Sequence, residues 1–181
     1  MRRLFFAFLA LSFIFTGGCA KPDETLLKDA IRQYNKKLII ALKSDPEVLK
    51  DVAVERDRGR IQIYMTQMAD ENKIIDSQLK YINFRSIKVL NDKEWQELIN
   101  QYRQRHERDS RVPNEGSLTE YKSGWALVKT EELWSYQYLD MRTKQKIDKP
   151  SLLRYSVTYI MVQEDNKWKI ADVEFEETPA K

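Results

Sequence analysis

The hydrophobic period of this chain switches near its middle, and the switch decides which class of fold it can reach. Up to Asn72 apolar residues recur at spacings of three and four; further on they alternate. The first pattern puts one stripe along a helix, and the second puts every other side chain on one face of a strand. From Asp23 to Lys43, the residues Leu27, Ile31, Tyr34, Leu38 and Leu42 form such a stripe, which predicts an amphipathic helix with Asp23 and Glu24 at its positive end. Ser44-Asp45-Pro46-Glu47 reads as a restart, with Asp45 as N-cap and Pro46 in the first helical position. Val48, Leu49 and Val52 would be the buried face of that second helix. A third helix is expected from Val54 to Asn72, with Ile61, Tyr64, Met65 and Met68 as its core-facing stripe and Gly59 as a place for a kink or a start. Methionines can also line an adaptable binding face, but at helical spacing beside Ile and Tyr they read as core.

The second half reads as strands. Leu79–Leu90 is rich in β-branched and aromatic residues. A polar insertion at 91–116 contains a helix built on Trp95, Leu98, Ile99 and Tyr102, and it ends in the turn signal Pro113-Asn114-Glu115-Gly116. Between Tyr121 and Arg142, the residues Ala126, Val128, Thr130, Trp134, Tyr136 and Tyr138 share one parity. That length predicts one long bent strand, or two strands joined at a bulge. After Lys149-Pro150, Leu153, Tyr155, Val157, Tyr159 and Met161 alternate on the next strand, and Asp165-Asn166 is the hairpin turn. In the last strand, Lys167–Glu176, the parity slips between Ile170 and Val173, which predicts a bulge near Ala171-Asp172. Helices followed by antiparallel strands make an α+β fold, with the helices packed on one face of a strongly curved sheet.

The last hairpin, Tyr155 to Phe175, resembles the C-terminal end of nuclear-transport-factor-2-like domains. The segment Thr130-Glu131-Glu132-Leu133-Trp134-Ser135-Tyr136 is similar to the long strand of their intermembrane-space type. The resemblance spans residues 24–176 and implies a cone of helices in a curved antiparallel sheet. It does not choose a function, because that fold hosts enzymes, pocket binders and interaction modules alike.

The N-terminus carries a different signal. Arg2 and Arg3 precede an apolar run from Leu4 to Phe15, then Thr16-Gly17-Gly18-Cys19. About a dozen apolar residues is too few against the roughly 20 that span a bilayer. A charged start, an apolar stretch and small residues before a cysteine resemble a bacterial lipoprotein signal, in which the cysteine is acylated and becomes the mature N-terminus. The pattern departs from that family in having Thr16 where Leu is preferred; an ordinary secretory leader is the alternative. Cys19 is the only cysteine, so no disulfide or thiolate metal site is expected. The expected organisation is a leader at 1–18, a tether at 19–23 and one domain at 24–178. At most about 3.6 Å per residue, the tether holds the domain close to the bilayer. Ala20 follows the cysteine where the family's inner-membrane retention signal has Asp, so the resemblance implies an outer-membrane, periplasm-facing position in a Gram-negative cell.

Without the leader, 29 basic residues face 28 acidic ones, a net charge of about +1. No field of one sign remains to attract nucleic acid. His106, the only histidine, sits in Gln104-Arg105-His106-Glu107-Arg108 among charges, whereas a general base needs shelter and a tuned pKa. No cofactor motif or metal-ligand spacing is present, and none is expected to be needed. Glu132 shares the parity of Val128 and Trp134 and would point inward. A buried carboxylate can serve as an acid or base. The blander alternatives are a bulge at Glu131-Glu132 that turns one carboxylate outward, or an internal ion pair with Arg154 or Arg142. Tyr34, Tyr64, Tyr136, Tyr138, Tyr155 and Tyr159 could line the mouth of a cone, and Tyr64, Glu132, Tyr136, Tyr138 and Tyr159 make the candidate pocket. Arg103, Arg105, Arg108 and Arg111 are interleaved with Glu107 and Asp109 and read as a solvated helix face or a modest patch for anionic lipid. The expected function is a non-catalytic, membrane-tethered interaction module with a protein partner in the envelope. A binder of small apolar ligands in the cone interior is the second reading, and an enzyme using Glu132 is the third.

Overall fold

The computed structural model describes residues 24–106, Leu118 and residues 124–178. The leader, Cys19, the tether, Arg108 and Arg111 lie outside them, as do the side chains of Arg103, Arg105 and His106. Three helices, α1 (Glu24–Ala41), α2 (Glu55–Asp70) and α3 (Asp92–His106), pack against four strands, β1 (Lys73–Leu90), β2 (Trp125–Asp140), β3 (Ser151–Glu164) and β4 (Lys167–Thr178). The sheet is antiparallel with strand order β1-β2-β3-β4, so strands consecutive in sequence are neighbours in the sheet, β1 and β2 being joined through α3 and β3 and β4 by a tight hairpin. It is an α+β fold with a curved sheet. Among the described residues no helix is long and apolar enough to cross a membrane.

The stripe on α1 behaves as its period requires. Leu27, Ile31 and Tyr34 are buried against Ala126, Val128, Val157, Tyr159, Met161 and Val173. This is the main core, and it lies on the face of β2 that carries the even-numbered residues. The opposite face is covered at one end by α3. There Trp95 and Ile99 pack with Leu90, Trp125, Ile160 and Val162 in a second core. Trp95 stacks on Trp125 with ring centroids 4.9 Å apart. The start of α3 is a reciprocal capping box: Glu94 N–H donates to Asn91 Oδ1, and Asn91 N–H donates to Glu94 Oε2, both at 3.0 Å.

Several expectations change. Asp45 does cap the chain ahead of Pro46, its side chain accepting from Glu47 N–H at 2.9 Å. The capped segment, Pro46–Leu49, is a four-residue 3-10 helix rather than a second α-helix. The reason is tertiary. Ile170 N–H donates to Val52 O and Val54 N–H to Ile170 O, both at 2.9 Å, so the segment at 52–54 is drawn out along the edge of β4. α2 runs through Gly59 without a break. Its apolar residues are half-buried rather than core, and its one fully buried side chain is Asp57. β1 begins at Lys73, six residues before the expected start. β2 is one continuous strand, with no register shift in its pairing to β3. β4 has the expected bulge: Ile160 pairs with Asp172 and Met161 with Ile170, leaving Ala171 as the extra residue.

Candidate functional site

Strict alternation along β2 turns Thr130, Glu132, Trp134, Tyr136 and Tyr138 toward the helices. Glu132 is 1% exposed. Its Oε1 accepts from Thr130 Oγ1 at 2.8 Å and from the Tyr159 hydroxyl at 2.7 Å, and its Oε2 accepts from Trp134 Nε1 at 2.7 Å. Asn35 on α1 donates to the same Tyr159 oxygen at 3.0 Å. The unit ties β2, β3 and α1 together. Both blander expectations for Glu132 are therefore corrected. Register is regular through Glu131-Glu132, and the three donors to the carboxylate are neutral rather than Arg154 or Arg142. Two donors come from i−2 and i+2 on the same strand, the neighbours that period two brings to one face. Burial pushes the Tyr159 hydroxyl well above its ordinary value of 10.0, and the negative Glu132 adds to the effect.

A second buried unit lies beside it. The Tyr34 hydroxyl donates to Asp57 Oδ2 at 2.7 Å, and Arg60 Nη2 donates to Asp57 Oδ1 at 2.7 Å. Arg60 also bonds Asp172 and donates to Val173 O at 2.9 Å. Tyr34 meets Tyr159 edge to face at 6.2 Å. Burial, then the charge of Asp57, raises the Tyr34 hydroxyl well above its ordinary value. Asn35, Asp57, Arg60 and Asp172 were not singled out from the sequence. One signal was available: Asn35 sits in the apolar stripe of α1, four residues after Ile31, where a polar residue has to be explained.

The six tyrosines separate into two sets. Tyr34 and Tyr159 are core, 2% and 1% exposed. Tyr64, Tyr136, Tyr138 and Tyr155 gather farther along, where β2 and β3 leave the cover of α1. Trp134 and Tyr136 stack at 5.9 Å, Tyr136 meets Tyr155 at 6.3 Å, and Tyr155 meets Phe175 at 6.1 Å. Partial burial, with Tyr138 beside it, pushes the Tyr64 hydroxyl up to about 12. Burial, then the neighbouring Tyr155 and Glu132, raises Tyr136 as well. The structure thus divides the candidate pocket residues, with Glu132 and Tyr159 in the sealed interior and Tyr64, Tyr136 and Tyr138 at its rim.

Two features lie on the surface. A half-open cleft of about 230 Å³ runs between the end of α1, the outer half of α2, the start of β1 and the turn after β2, with Tyr64 on its wall. On the sheet face that α3 covers only at one end, Tyr81 and Leu152 are 54% and 63% exposed. Tyr81 is registered opposite Leu133, and Leu133 opposite Arg154, two residues from Leu152. These side chains are neighbours on one open surface. Glu131, on the same face, pairs with Arg85.

No family model matches the sequence, and no curated protein matches it. Solved structures do. The intermembrane-space region of the chloroplast protein ARC6 is similar with a TM-score of 0.60 at 14% identity, over 87% of this chain and 99% of that one. Two proteins described as calcium/calmodulin-dependent kinase II association domains are also similar. The one from Exiguobacterium sibiricum has a TM-score of 0.44 at 10% identity, over 89% and 97% of the two chains. The one from Xanthomonas campestris has a TM-score of 0.46 at 13% identity, over 88% and 91%. Scores this low carry no argument. The first likeness speaks to fold alone: helices packed against a curved four-stranded antiparallel sheet.

Proposed function

We propose that this protein is a lipid-anchored, non-catalytic interaction module of a bacterial cell envelope, held through Cys19 and contacting a protein partner through the open sheet face. The observation that carries the reading is the contrast between interior and surface. Inside, the carboxylates best placed for chemistry are spent on protein donors: three reach Glu132, while Tyr34 and Arg60 hold Asp57. Outside, Tyr81 and Leu152 expose apolar area beside Leu133 on the outer face of the sheet. Exposed apolar side chains gathered on one face mark interaction sites more often than scattered ones do. The leader and the cysteine after Gly17-Gly18 support the anchor, and the short tether would set that face near the bilayer.

The anchor is tested by fractionation and intact mass. Cys19→Ser should leave the membrane fraction and accumulate as soluble or unprocessed protein, whereas unchanged attachment would refute acylation. The contact is tested by a photo-crosslinking residue at position 81 or 152 in intact cells, with Lys36 on α1 as the control site. Discrete protein adducts from 81 and 152 alone support the reading. Their absence, or the same adducts from position 36, removes it.

A further inference from the structure

Beyond Met1 the sequence has four methionines: Met65, Met68, Met141 and Met161. Met161 does what methionine usually does, filling the main core at 0% exposure. The other three line one cleft. Met65 and Met68 are half-buried on α2, three residues apart and so neighbours on one helix face. Met141 comes from the turn after β2 and is 41% exposed, among the polar residues Asp140, Arg142, Thr143 and Lys144.

The position of Met141 is fixed by its backbone. Asn72, at φ 56°, ends α2 in the left-handed region that Asn tolerates. Met141 N–H donates to Asn72 O at 2.9 Å, and Asn72 Nδ2 donates to Asp140 Oδ2 at 2.6 Å. Asp140 Oδ1 in turn accepts from the backbone of Arg142 and Thr143 at 3.0 and 2.7 Å. These bonds close the turn against the C-terminal end of α2, which sets Met141 on the wall of the cleft that Met65 and Met68 also line.

We propose that Met65, Met68 and Met141 form a thioether site for a soft monovalent cation, Cu(I) or its analogue Ag(I). Thioether sulfur is a soft donor that selects Cu(I) over harder ions. Among the described residues no three His, Cys, Asp or Glu side chains cluster as a metal site, so a harder ion has no comparable set. The cleft holds about 230 Å³, less than the roughly 300–1,000 Å³ of pockets that enclose an organic ligand, and enough for an ion among three long side chains. It lies at the negative end of the α2 dipole, which favours a cation. The two lysines on its wall do not oppose one, since Lys43 is paired with Asp76 and Lys73 with Glu71. A thioether ligand needs no deprotonation, so the site would stay competent in acid where cysteine and histidine sites weaken.

The test uses the full-length protein in detergent. It is titrated with Ag(I), and with Cu(I) held by a bicinchoninate competitor. One equivalent should bind. Each of Met65→Leu, Met68→Leu and Met141→Leu should weaken binding about tenfold or more, by analogy with the loss of single groups around metal sites, and the triple variant should lose it. Leucine keeps the volume and apolar character of each position, so unchanged thermal melting shows that the fold is intact. An apolar fluorescent probe should bind native and triple-variant protein alike. As an independent readout, selenomethionine-labelled protein should show selenium neighbours at the copper absorption edge. Failure of the native protein to take Cu(I) from the competitor overturns the proposal. So does equal binding by the triple variant, which would place the ion on Cys19 or elsewhere.

Discussion

Glu132 shows how much one side chain can organise when its neighbours are spaced to serve it. Thr130 and Trp134 reach it because they lie two residues away on the same strand, and Tyr159 because β3 runs alongside. Glu132→Ala removes the acceptor and leaves the buried Thr130 and Trp134 donors unpaired beside a void, while the Tyr159 hydroxyl keeps Asn35 Oδ1 as an acceptor at 3.1 Å. The change should cost about 3–5 kcal/mol in denaturant unfolding. Glu132→Gln keeps the shape, with its Oε1 able to accept from Trp134 and its amide able to donate to the Thr130 and Tyr159 hydroxyls, and should cost only about 1–2 kcal/mol for the lost charge-assisted bonds. Equal losses would contradict this account. Ser77 is the converse case. It is fully buried and its hydroxyl has no hydrogen-bond partner among the described residues, so Ser77→Ala should be neutral or stabilising by up to about 1–2 kcal/mol. The buried tyrosines add a pH dependence. The folded-state pKa values of Tyr34 and Tyr159 lie well above the ordinary 10.0. Above pH 10 the unfolded chain releases protons that the folded chain retains, so stability falls as pH rises. Tyrosinate absorbance should show amplitude that appears only as the protein unfolds, and Tyr34→Phe and Tyr159→Phe should each reduce that delayed amplitude. The inward direction of Glu132 was readable from parity. Its partners were not, since sequence separation does not say which tyrosine β3 will place opposite.

At the scale of elements, the sequence revealed what depends on periodicity and hid what depends on pairing. The parity slip in β4 located the bulge at Ala171 because a bulge is itself a break in parity. The 3-10 helix at Pro46–Leu49 was over-read, because its capping signal is sound while its length is cut by the edge of β4 drawing out Val52 to Val54. The first six residues of β1 were missed for want of a Gly or Pro between helix and strand. Asn72 was the stop signal, taking the backbone conformation a glycine would usually supply. Gly124, ahead of β2, has a comparable role with less tolerance. Its φ is 67°, and an added Cβ would fall 2.7 Å from Gln163 Cβ. Gly124→Ala should therefore cost about 1–3 kcal/mol, read as a lower denaturant midpoint. No change in midpoint would show that β2 can start from another backbone conformation.

Over the whole molecule, α+β class and the helices-in-sheet arrangement followed from the order of periods, which is a global property of the chain. The division of the tyrosines into core and rim did not, because it depends on where α1 ends relative to two strands far from it in sequence. If the open sheet face is a contact surface, changing it should alter contact without altering stability. Leu152 is 63% exposed, so Leu152→Glu should shift the unfolding free energy by no more than about 0.5 kcal/mol. The same change should abolish crosslinked adducts from position 81. A large loss of stability would mean that Leu152 belongs to the core.

All four tryptophans are buried, and each has different company: Trp95 and Trp125 lie face to face at 4.9 Å, Trp134 donates to a carboxylate, and Trp168 sits in the main core. Two indoles stacked that closely in nearly parallel planes couple their electronic transitions, so the native protein carries its own optical gauge. A couplet in the circular dichroism of the native state would report the seating of α3 on the sheet, while the total indole emission, with Trp134 and Trp168 contributing, would report the main core as well. Peeling away of the one before the collapse of the other would be visible in a single unlabelled sample.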